Sequence, residues 1–201
     1  MKHEGLTSQA AELGVSLADD QVARLEAFEQ LLTERGAPLG VVSTADVPRL
    51  RERHVLDSLR AALAVEADDR YAVDLGSGGG LPGIIVAIAR PALSVVLVES
   101  RARRAAFLEL ATERLWLANA DVRRSRVEDV RGPFDLAFAR AFAGPEGSWR
   151  AAAPLLGAAG RLVYFAGTSF RAADVPAGVD VRILTAPPVA SRGPLAIMSR
   201  Q

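Results

Sequence analysis

The sequence predicts an α/β fold: a mostly parallel seven-stranded sheet with helices on both faces, preceded by a helical extension. From residue 71 onward, short apolar runs alternate with helical patterns, which is typical of a parallel sheet. The run Tyr71–Leu75 carries an acid near its end and leads directly into a glycine-rich turn, as in Rossmann-like folds. The last two runs have no helical pattern between them, which favours an antiparallel closing hairpin. We expect residues 1–66 to form the extension, packed on a core of residues 67–201, the whole being one compact unit.

Two helices are expected in the extension. Ser16 is placed to cap the first, from about Leu17 to Thr33. The second opens at Thr44 or Asp46 and continues to about Val65. Its predicted buried stripe is Leu56, Leu59 and Leu63. Its predicted polar face is Arg49, Arg53, Asp57 and Arg60, with Arg53 and Asp57 spaced for an exposed ion pair.

The core contributes the seven strands and three further helices. The strands are predicted at Tyr71–Leu75, Leu93–Val98, Ala120–Val122, Phe134–Ala139, Arg161–Phe165, Val179–Leu184 and Leu195–Ser199. The helices are predicted at Leu81–Ala89, after Ser100 as a capping residue, and from Pro145 to about Leu156. A loop over residues 185–194 joins the closing hairpin.

The amino-acid composition excludes several classes of functional site. The chain has 201 residues, no net charge and no cysteine, which excludes disulfides, thiolate metal sites and cysteine nucleophiles. Its two histidines, His3 and His54, are too few and too far apart for a histidine-rich metal site, so no metal is expected. No apolar run approaches the length of a membrane span, and we expect a cytoplasmic monomer without a membrane partner. Because the chain has no global basic field, any RNA affinity must come from a local cluster.

The glycine-rich turn after the first strand predicts a ligand. Glycines allow sharp turns with positive φ and expose bare amides, and the following helix would present further amides to a carboxylate or phosphate. One match is the dinucleotide pattern GxGxxG, which is weak by itself. The overlapping pattern of Asp74, Gly76, Gly78 and Gly80 fits S-adenosylmethionine better, because an anionic Asp74 would attract an ammonium group and repel a pyrophosphate.

A second acid supports a bound nucleoside. Glu99 follows the second strand, 23 residues after Gly76, close to the spacing of about 20 at which an acid meets a ribose hydroxyl. The alternative is a glycine-rich turn without a ligand, which requires the turn and both acids to coincide by chance. The element order with its closing hairpin is that of class I S-adenosylmethionine-dependent methyltransferases.

Two arginine clusters follow the second and third strands. In the first, positive charge at a helix N-terminus opposes the helix dipole and indicates a compensating partner, although a solvated charged face is equally compatible. The ends of neighbouring strands share one rim of a sheet, so both clusters are expected near the glycine turn. The clusters are Arg101, Arg103 and Arg104, and Arg123, Arg124 and Arg126.

Two sequence motifs that specific methylation reactions require are missing from this chain, which limits the atom that could be methylated. No Asn/Asp-Pro-Pro-aromatic motif follows the fourth strand, which disfavours methylation of the exocyclic amine of adenine, and no cysteine is present for pyrimidine C5 chemistry. Guanine N7 carries a free lone pair and loses no proton, so its methylation requires proximity and orientation without a general base. No acid–base pair is therefore assigned.

Five segments carry a resemblance to a known family. They are Arg53–Leu59, Asp74–Gly83, Arg103–Leu108, Arg126–Asp129, and Phe134–Asp135 with Arg140–Phe142. In order and spacing they resemble the bacterial 16S rRNA guanine-N7 methyltransferase family called glucose-inhibited division protein B. The resemblance covers about Arg49 to Gly167. It implies an S-adenosylmethionine-dependent enzyme that makes 7-methylguanosine in 16S rRNA or the small ribosomal subunit.

The resemblance also implies roles for single residues. Gly76 and Leu81 would contact S-adenosylmethionine, and Arg140 would lie at its methionine or reaction end. Val127 and Glu128 would lie beside the adenine. His54 and Asp57 would line the pocket mouth near the reaction centre. Substrate RNA is expected at Arg103 and Arg104, which stand where the family has Lys-Arg. Arg123 and Arg124 are also expected to contact RNA, from their place after the third strand and without support from the resemblance.

The chain departs from the family ahead of the Arg-His helix. The family usually carries Asn-Leu-Thr there, whereas this chain has Val42-Ser43-Thr44 after Gly40 and Val41. Three alternatives therefore stay open: a small-molecule methyltransferase on the same fold, a non-catalytic S-adenosylmethionine-binding relative that associates with ribosomes, and a nicotinamide-dependent oxidoreductase, which Asp74 disfavours.

Overall fold

The computed structural model describes residues 2–184 and 193–201, with the backbone alone for residues 2–4 and 172. The α-helices are α1 (Lys2–Glu12), α2 (Asp19–Leu31), α3 (Asp57–Leu59), α4 (Gly83–Ala89), α5 (Ala102–Arg114) and α6 (Pro145–Ala152). Tighter or wider helical turns lie at Leu32–Gly36, Thr44–Arg49, Arg51–Leu56, Arg60–Ala64, Val127–Asp129, Ala153–Leu155 and Ala172–Asp174. The strands are β1 (Tyr71–Leu75), β2 (Ser94–Val98), β3 (Ala120–Arg123), β4 (Phe134–Ala139), β5 (Leu156–Phe165), β6 (Val179–Leu184) and β7 (Leu195–Arg200).

The described strands form one seven-stranded sheet in the order β3-β2-β1-β4-β5-β7-β6. The first five strands in this order are parallel, while β7 runs antiparallel to both β5 and β6. The predicted fold class is therefore confirmed, including the closing hairpin. The strand order reverses direction at β1, where β2 lies on one side and β4 on the other. In open α/β sheets, ligands bind in the crevice at the carboxyl ends of the strands beside such a reversal.

Two apolar layers cover the two faces of the sheet. Ala72 and Leu97 face a layer that contains Phe28, Ile84 and Phe107, so α2, α4 and α5 lie on this side. The neighbouring strand positions face the second layer, which includes Trp149 of α6. Side chains alternate between faces along a strand, and both layers are apolar, which explains the nearly continuous apolar runs in the sequence. The helices of residues 1–66 share the first layer with α4, and the boundary at residue 66 stays a prediction.

Helix α1 was not predicted from the sequence. Its buried residues Leu6 and Ala10, followed by Leu13 just beyond its end, have helical spacing, but Gly5 and the small alanines weaken the pattern. The predicted cap Ser16 is wrong as well, because α2 begins after Ala18. The Ala18 amide donates to Gln21 Oε1 at 2.8 Å, and Gln21 Nε2 donates to the Ile88 carbonyl at 2.8 Å, which ties α2 to α4.

The helical stretch 44–64 is less regular than predicted, and its polar face is partly buried. Asp57 and Arg60 are only 5 % and 4 % exposed, so the prediction of a solvated face is wrong for them. Arg53 pairs with Asp46 at 2.7 Å, where the sequence predicted Asp57 as its exposed partner. The reason is tertiary: this polar stripe packs beside the end of β4, where Arg140 supplies a partner for Asp57. In the apolar stripe Leu56 and Leu59 are buried, while Leu63 is only partly covered.

Three further differences concern element ends. Helix α4 begins at Gly83, two residues after the predicted start, and β5 begins at Leu156, well before the predicted Arg161. Ser100 does not cap α5; the Arg101 amide at its start donates to Glu99 Oε1 at 2.8 Å. Of the predicted loop 185–194, residues 185–192 lie outside the described residues.

Gly83 is the closest contact between α4 and the sheet, and it generates a first prediction. An added Cβ would overlap Leu97 Cδ2 and lie 2.6 Å from Asp74 Oδ2. We expect Gly83→Ala to lower the free energy of unfolding by about 1–3 kcal/mol, because overpacking forces the helix away from β1. Urea unfolding measures this change. Gly144→Ala is the control, since an added Cβ there meets open space, and equal losses in both variants would contradict the account.

Candidate active site

A buried acid shapes the turn that follows β1. Gly76, Gly78 and Gly80 have φ angles of +64°, +58° and +79°, a region that side chains with a Cβ rarely adopt. Asp74 Oδ2 accepts hydrogen bonds from Ser77 Oγ at 2.5 Å and from the Gly83 amide at 3.0 Å. One carboxylate oxygen thus holds both the start of the turn and the start of α4.

Asp74 is 1 % exposed, and burial raises its pKa to about 6, against the opposing effect of the hydrogen bonds from Ser77 and Gly83. The sequence pattern predicts that this acid attracts an ammonium group of a ligand. The structure gives it a structural task within the turn, and its attraction for an ammonium group stays a prediction.

Glu99 links the same turn to the start of α5. Its side chain is buried, with Oε2 accepting from the Gly78 amide at 3.1 Å and Oε1 accepting from the Arg101 amide at 2.8 Å. Each carboxylate oxygen has more than one lone pair, so Glu99 keeps acceptor capacity for a hydroxyl group. The two acids predicted from the sequence therefore lie at opposite sides of one glycine turn.

A first cleft of about 330 Å³ opens beside this turn. It brings together Gly76, Val127 and Glu128, three residues of the predicted cofactor site. Leu81 is buried within the turn, and Gly80 packs against the Ile84 side chain. These two residues therefore support the turn from the side of the protein core. The full lining of the first cleft is Gly76, Val98, Ser100, Ser125, Arg126, Val127, Glu128 and Phe142.

Phe142 was not assigned a role from the sequence. Its ring lies on Gly76, so that a Cβ there would come within 2.8 Å of Phe142 Cδ2, yet 37 % of its surface stays exposed. An exposed aromatic residue directly after β4 is the signal that would have identified it. Only a glycine fits beneath this ring at the floor of the first cleft.

A second cleft of about 430 Å³ lies at the carboxyl ends of β4 and β5. Its lining is His54, Asp57, Arg140, Ala141, Phe165, Ala166, Gly167, Thr168, Gly193 and Pro194. Arg140 faces this cleft while Phe142 faces the first, and Ala141 between them has a φ of +54°. A non-glycine residue in this conformation is strained, and such strain is often found at functional sites. The two clefts therefore share the segment Arg140–Phe142 as their boundary.

Arg140 organises the polar wall of the second cleft. Its Nη2 donates to the Arg53 carbonyl and to His54 Nδ1, both at 3.0 Å, and its Nε donates to Asp57 Oδ2 at 3.3 Å. An arginine can only donate, so Nδ1 is the acceptor and the imidazole proton lies on Nε2. That proton points to Asp46 Oδ2, 3.2 Å from Nε2. The structure thus brings together His54, Asp57 and Arg140, and the place near a reaction centre that the resemblance implies for them stays a prediction.

The network extends to the segment before β7. Asp57 Oδ1 accepts from Arg60 Nη1 at 3.0 Å, and Arg60 Nη2 donates to the Gly193 carbonyl at 3.1 Å. The Arg140 guanidinium lies 5.8 Å from the centre of the Phe165 ring, within the range of a cation–π contact. Residues distant in the sequence therefore hold the walls of the second cleft in place.

The predicted RNA-contacting arginines lie around the rim. Arg104 is the nearest to the turn, with Nη1 4.0 Å from the position of a Cβ on Gly78, and Arg103 beside it is exposed. Arg123 and Arg124 are also exposed, and they line a separate cavity that shares Ser125 with the first cleft. Arg123 pairs with Asp121 at 2.7 Å.

The donor set fits S-adenosylmethionine and no metal ion. The first cleft offers glycine backbone without side chains, a floor that admits no Cβ at Gly76 and, beside it, an acid with spare acceptor capacity. The amides of Ser77, Gly78 and Gly80 are already bonded within the protein, so the expected row of free amides is not present at these positions. Within residues 2–184 and 193–201, no three His, Asp or Glu side chains are grouped so that they would hold a metal ion. No helix in these residues has the length and hydropathy needed to cross a membrane.

The raised pKa of Asp74 predicts a pH dependence of stability. A pKa raised from 3.8 to about 6 means that the folded chain binds this proton more tightly than the unfolded chain. Stability is therefore fully present below about pH 4 and declines as the pH rises through 6, by up to about 3 kcal/mol. Asp74→Asn lacks this decline. Urea unfolding of the wild type and of Asp74→Asn between pH 4 and 7 tests this difference. If the free energy of unfolding changed with pH equally in both proteins, the raised pKa of Asp74 would be contradicted.

Solved structures similar to this chain include a putative methyltransferase and a protein bound to S-adenosylmethionine. A putative O-methyltransferase from Klebsiella pneumoniae has a TM-score of 0.59 at 12 % identity, covering 87 % of this chain and 90 % of its own. A mutant of the protein MtNAS in complex with S-adenosylmethionine has a TM-score of 0.57 at 18 % identity, covering 89 % of this chain and 72 % of its own. At such identities the likeness establishes the fold.

Sequence relatives are closer. The chain is 38 % identical over 181 residues to ribosomal RNA small subunit methyltransferase G of Kineococcus radiotolerans, covering 87 % of this chain and 71 % of the relative. It is 37 % identical over 201 residues to the protein of the same name from Aromatoleum aromaticum, covering 94 % and 95 %. The sequence model of the GidB family, described as rRNA small subunit methyltransferase G, matches residues 21–174. This chain therefore belongs to the GidB family.

Proposed function

We propose that this chain transfers the methyl group of S-adenosylmethionine to N7 of a guanine in 16S rRNA of the small ribosomal subunit. The observation that carries the proposal is the shared boundary at Arg140–Phe142. A methyl donor in the first cleft would meet a base in the second across this segment. Relatives named ribosomal RNA small subunit methyltransferase G support this substrate.

The residues in the first cleft and in the adjoining turn suit the separate parts of the cofactor. Glu99 would accept from the ribose hydroxyls, and Val127 with Glu128 would flank the adenine. The turn at Gly76 and Gly78 would carry the methionine part over its bare backbone. When bound, S-adenosylmethionine supplies an electrophilic methyl group on a sulfonium. Leu81 and Gly80 would act indirectly by holding the turn.

Methylation of guanine N7 requires alignment of the two reactants and no proton transfer by the protein. The N7 lone pair forms the new N–C bond as the C–S bond breaks, and its electron pair stays on sulfur. No proton leaves the base, so no general base is required. The work of the chain is to align the two reactants, which by itself accounts for a large part of a rate enhancement. The network of Arg140, His54 and Asp57 suits this work, because its hydrogen bonds fix the wall beside the reaction centre.

The exposed arginines fit the backbone of an RNA substrate. Arg104 lies beside the glycine turn, with exposed Arg103 next to it. Arg123 and Arg124 are exposed and line a neighbouring cavity that shares Ser125 with the first cleft. Guanidinium groups bind phosphates in a planar, bidentate geometry, which suits this role. We further propose that the protein works as a monomer in the cytoplasm, where small subunits are assembled. A small-molecule methyltransferase would have no use for such a rim.

Transfer of labelled methyl to purified small subunits that lack the modification tests the function. Nuclease digestion and mass spectrometry of the nucleosides identify the product. The proposal requires 7-methylguanosine, formed only with S-adenosylmethionine present. Binding of S-adenosylmethionine without any transfer would support the non-catalytic relative, and binding of NAD in its place would support an oxidoreductase.

Gly78 provides a direct test of the cofactor position. Gly78→Asp places a charged side chain at a φ of +58°, on the surface over which the cofactor would lie. We expect affinity for S-adenosylmethionine, measured by calorimetry, to fall at least about 100-fold, a change of about 2.7 kcal/mol. The matched control is Gly178→Asp, which also has a left-handed φ, of +79°, and where an added Cβ meets no atom within 4 Å; it precedes β6 at the far edge of the sheet. Unchanged affinity in Gly78→Asp would refute the site.

The arginine rim predicts a salt dependence. Arg103→Glu combined with Arg104→Glu should weaken binding to small-subunit rRNA and lower the slope of log affinity against log salt by about 1–2, because fewer counterions are released. Affinity for S-adenosylmethionine should stay the same. The control with equal charge is Arg114→Glu with Arg150→Glu, both exposed. Equal slopes in the rim variant and the wild type would remove these arginines from the RNA surface.

A further inference from the structure

We propose that a third cleft, on the face of the sheet beside β2 and β3, binds a nucleotide of the rRNA other than the target guanine. The cleft has a volume of about 440 Å³, and its lining includes Val96, Arg123, Arg124, Val130, Arg131 and Phe134. The inference rests on the proposed function and extends it, because it assigns to the substrate a holding contact, phosphate and base together, away from the methyl transfer.

The third cleft lies where a crossover helix would normally cover the sheet. Three of the parallel connections carry a helix, namely α4, α5 and α6. The connection from β3 to β4 contains only the short turn Val127–Asp129. Of the α-helices in the described part of the chain, α6 alone contributes to the second apolar layer, and it packs on β5. The second-layer face of β2 and β3 therefore lacks the helix that covers most parallel sheets.

The exposure of β2 and β3 agrees with this open face. Val95 and Leu97 of β2 are buried in the first layer, whereas Val96 between them is partly exposed. On β3, Asp121 pairs in register with Val96, and Arg123 two residues further has the same orientation; both are exposed. An apolar position on an inner strand is thus open to solvent, with charged side chains next to it.

The charge around the third cleft favours an anion. Its lining contains three guanidinium groups and one carboxylate, that of Asp129. Arg123 is partly neutralised, since its Nε lies 2.7 Å from Asp121 Oδ2. Arg124 and Arg131 add two further exposed cations. Guanidinium groups bind phosphate oxygens in a planar, bidentate geometry, so a phosphate is the anion that suits this lining.

Arg131 is held in place before any ligand binds. Its Nη1 donates to the Glu128 carbonyl at 2.9 Å and to the Val130 carbonyl at 3.0 Å. These bonds do not use Nε and Nη2, which together form an edge that can bind a phosphate through two parallel hydrogen bonds. A side chain that is already ordered loses less conformational entropy on binding than a mobile one.

The apolar part of the lining distinguishes a nucleotide from a simple anion. Val96 and Val130 are partly exposed, and Phe134 contributes a small exposed area. A nucleotide in an unpaired stretch of RNA carries a flat base beside its phosphate, and proteins bind such bases on apolar and aromatic side chains. An acidic protein segment would match the arginines but has no flat apolar group to cover the valines.

The position of the third cleft indicates what the contact does. Ser125 lines both the first and the third cleft. The turn Val127–Asp129 separates them, with Val127 and Glu128 in the first cleft and Asp129 in the third. A nucleotide bound there would lie on the adenine side of the cofactor, away from Arg140. It would hold the rRNA equally in the ground state and in the transition state, which lowers KM and leaves kcat unchanged.

Arg131→Glu tests the phosphate contact. We expect KM for small subunits in methyl transfer to rise about tenfold, with kcat within about twofold of the wild type. For protein-free 16S rRNA, the slope of log affinity against log salt should fall by about 1. The matched control is Arg182→Glu, an exposed arginine on β6 at the opposite edge of the sheet, which should keep the wild-type values.

Val96→Thr tests the base contact and leaves the turn Val127–Asp129 untouched. Threonine has nearly the shape of valine but adds a hydroxyl group to the apolar surface. Affinity for protein-free 16S rRNA should fall about threefold, with an unchanged salt slope, because no charge is altered. Val181→Thr is the control, a partly exposed valine on β6 that should keep the wild-type affinity. Affinity for S-adenosylmethionine should stay within about twofold of the wild type in all four variants.

The outcomes separate this inference from the proposed function. Wild-type KM and rRNA affinity in both Arg131→Glu and Val96→Thr would overturn the third cleft while leaving the function intact. Weaker binding to small subunits with unchanged binding to protein-free 16S rRNA would also overturn it, because the cleft would then contact a ribosomal protein. An effect of Arg131→Glu alone would contradict a bound base. If the wild-type protein makes no 7-methylguanosine, the function itself fails, and the rRNA affinities still decide on the third cleft.

Discussion

The site depends on the hydrogen bonds that Asp74 accepts from Ser77 and Gly83. They hold a turn with three left-handed glycines between β1 and α4, at the point where the strand order of the sheet reverses. Gly83 lies against Asp74 and Leu97, so the carboxylate also fixes how closely the helix approaches the sheet. Burying this acid raises its pKa, and we infer that the chain accepts the loss of stability because an ionised oxygen binds the Ser77 and Gly83 donors more strongly than a neutral oxygen would.

The arrangement of the site also depends on the strained segment that separates the two clefts. Ala141 adopts a left-handed conformation, which costs about 1–3 kcal/mol for a non-glycine residue. The surrounding contacts hold it there: Arg140 makes hydrogen bonds to the 44–64 stretch, and the Phe142 ring rests on Gly76. The strain thereby places a cation in one cleft and an aromatic ring in the other. A reaction that needs alignment and no proton transfer is well served by such a rigid boundary.

Much of this architecture is predictable from the sequence. The central strands are short apolar runs buried on both faces, and the glycine turn has a distinctive pattern, so both are predictable from the sequence. The caps were missed because Gln21 and Glu99 act through side chains that the local pattern does not identify. The polar stripe with Asp57 was placed in solvent because its partner Arg140 lies 83 residues further along the chain. Phe142 gains its meaning only from Gly76 beneath it, a contact that spacing alone does not show.

The most direct test of the account is a crystal structure of the protein with S-adenosylhomocysteine, the product form of the cofactor. The account predicts the ligand in the first cleft, with its amino-acid part over Gly76 and Gly78, its ribose at Glu99 and its adenine between Val127 and Glu128. The sulfur should point across Ala141 toward the second cleft. A ligand bound elsewhere, or a sulfur directed away from Arg140, would contradict the account.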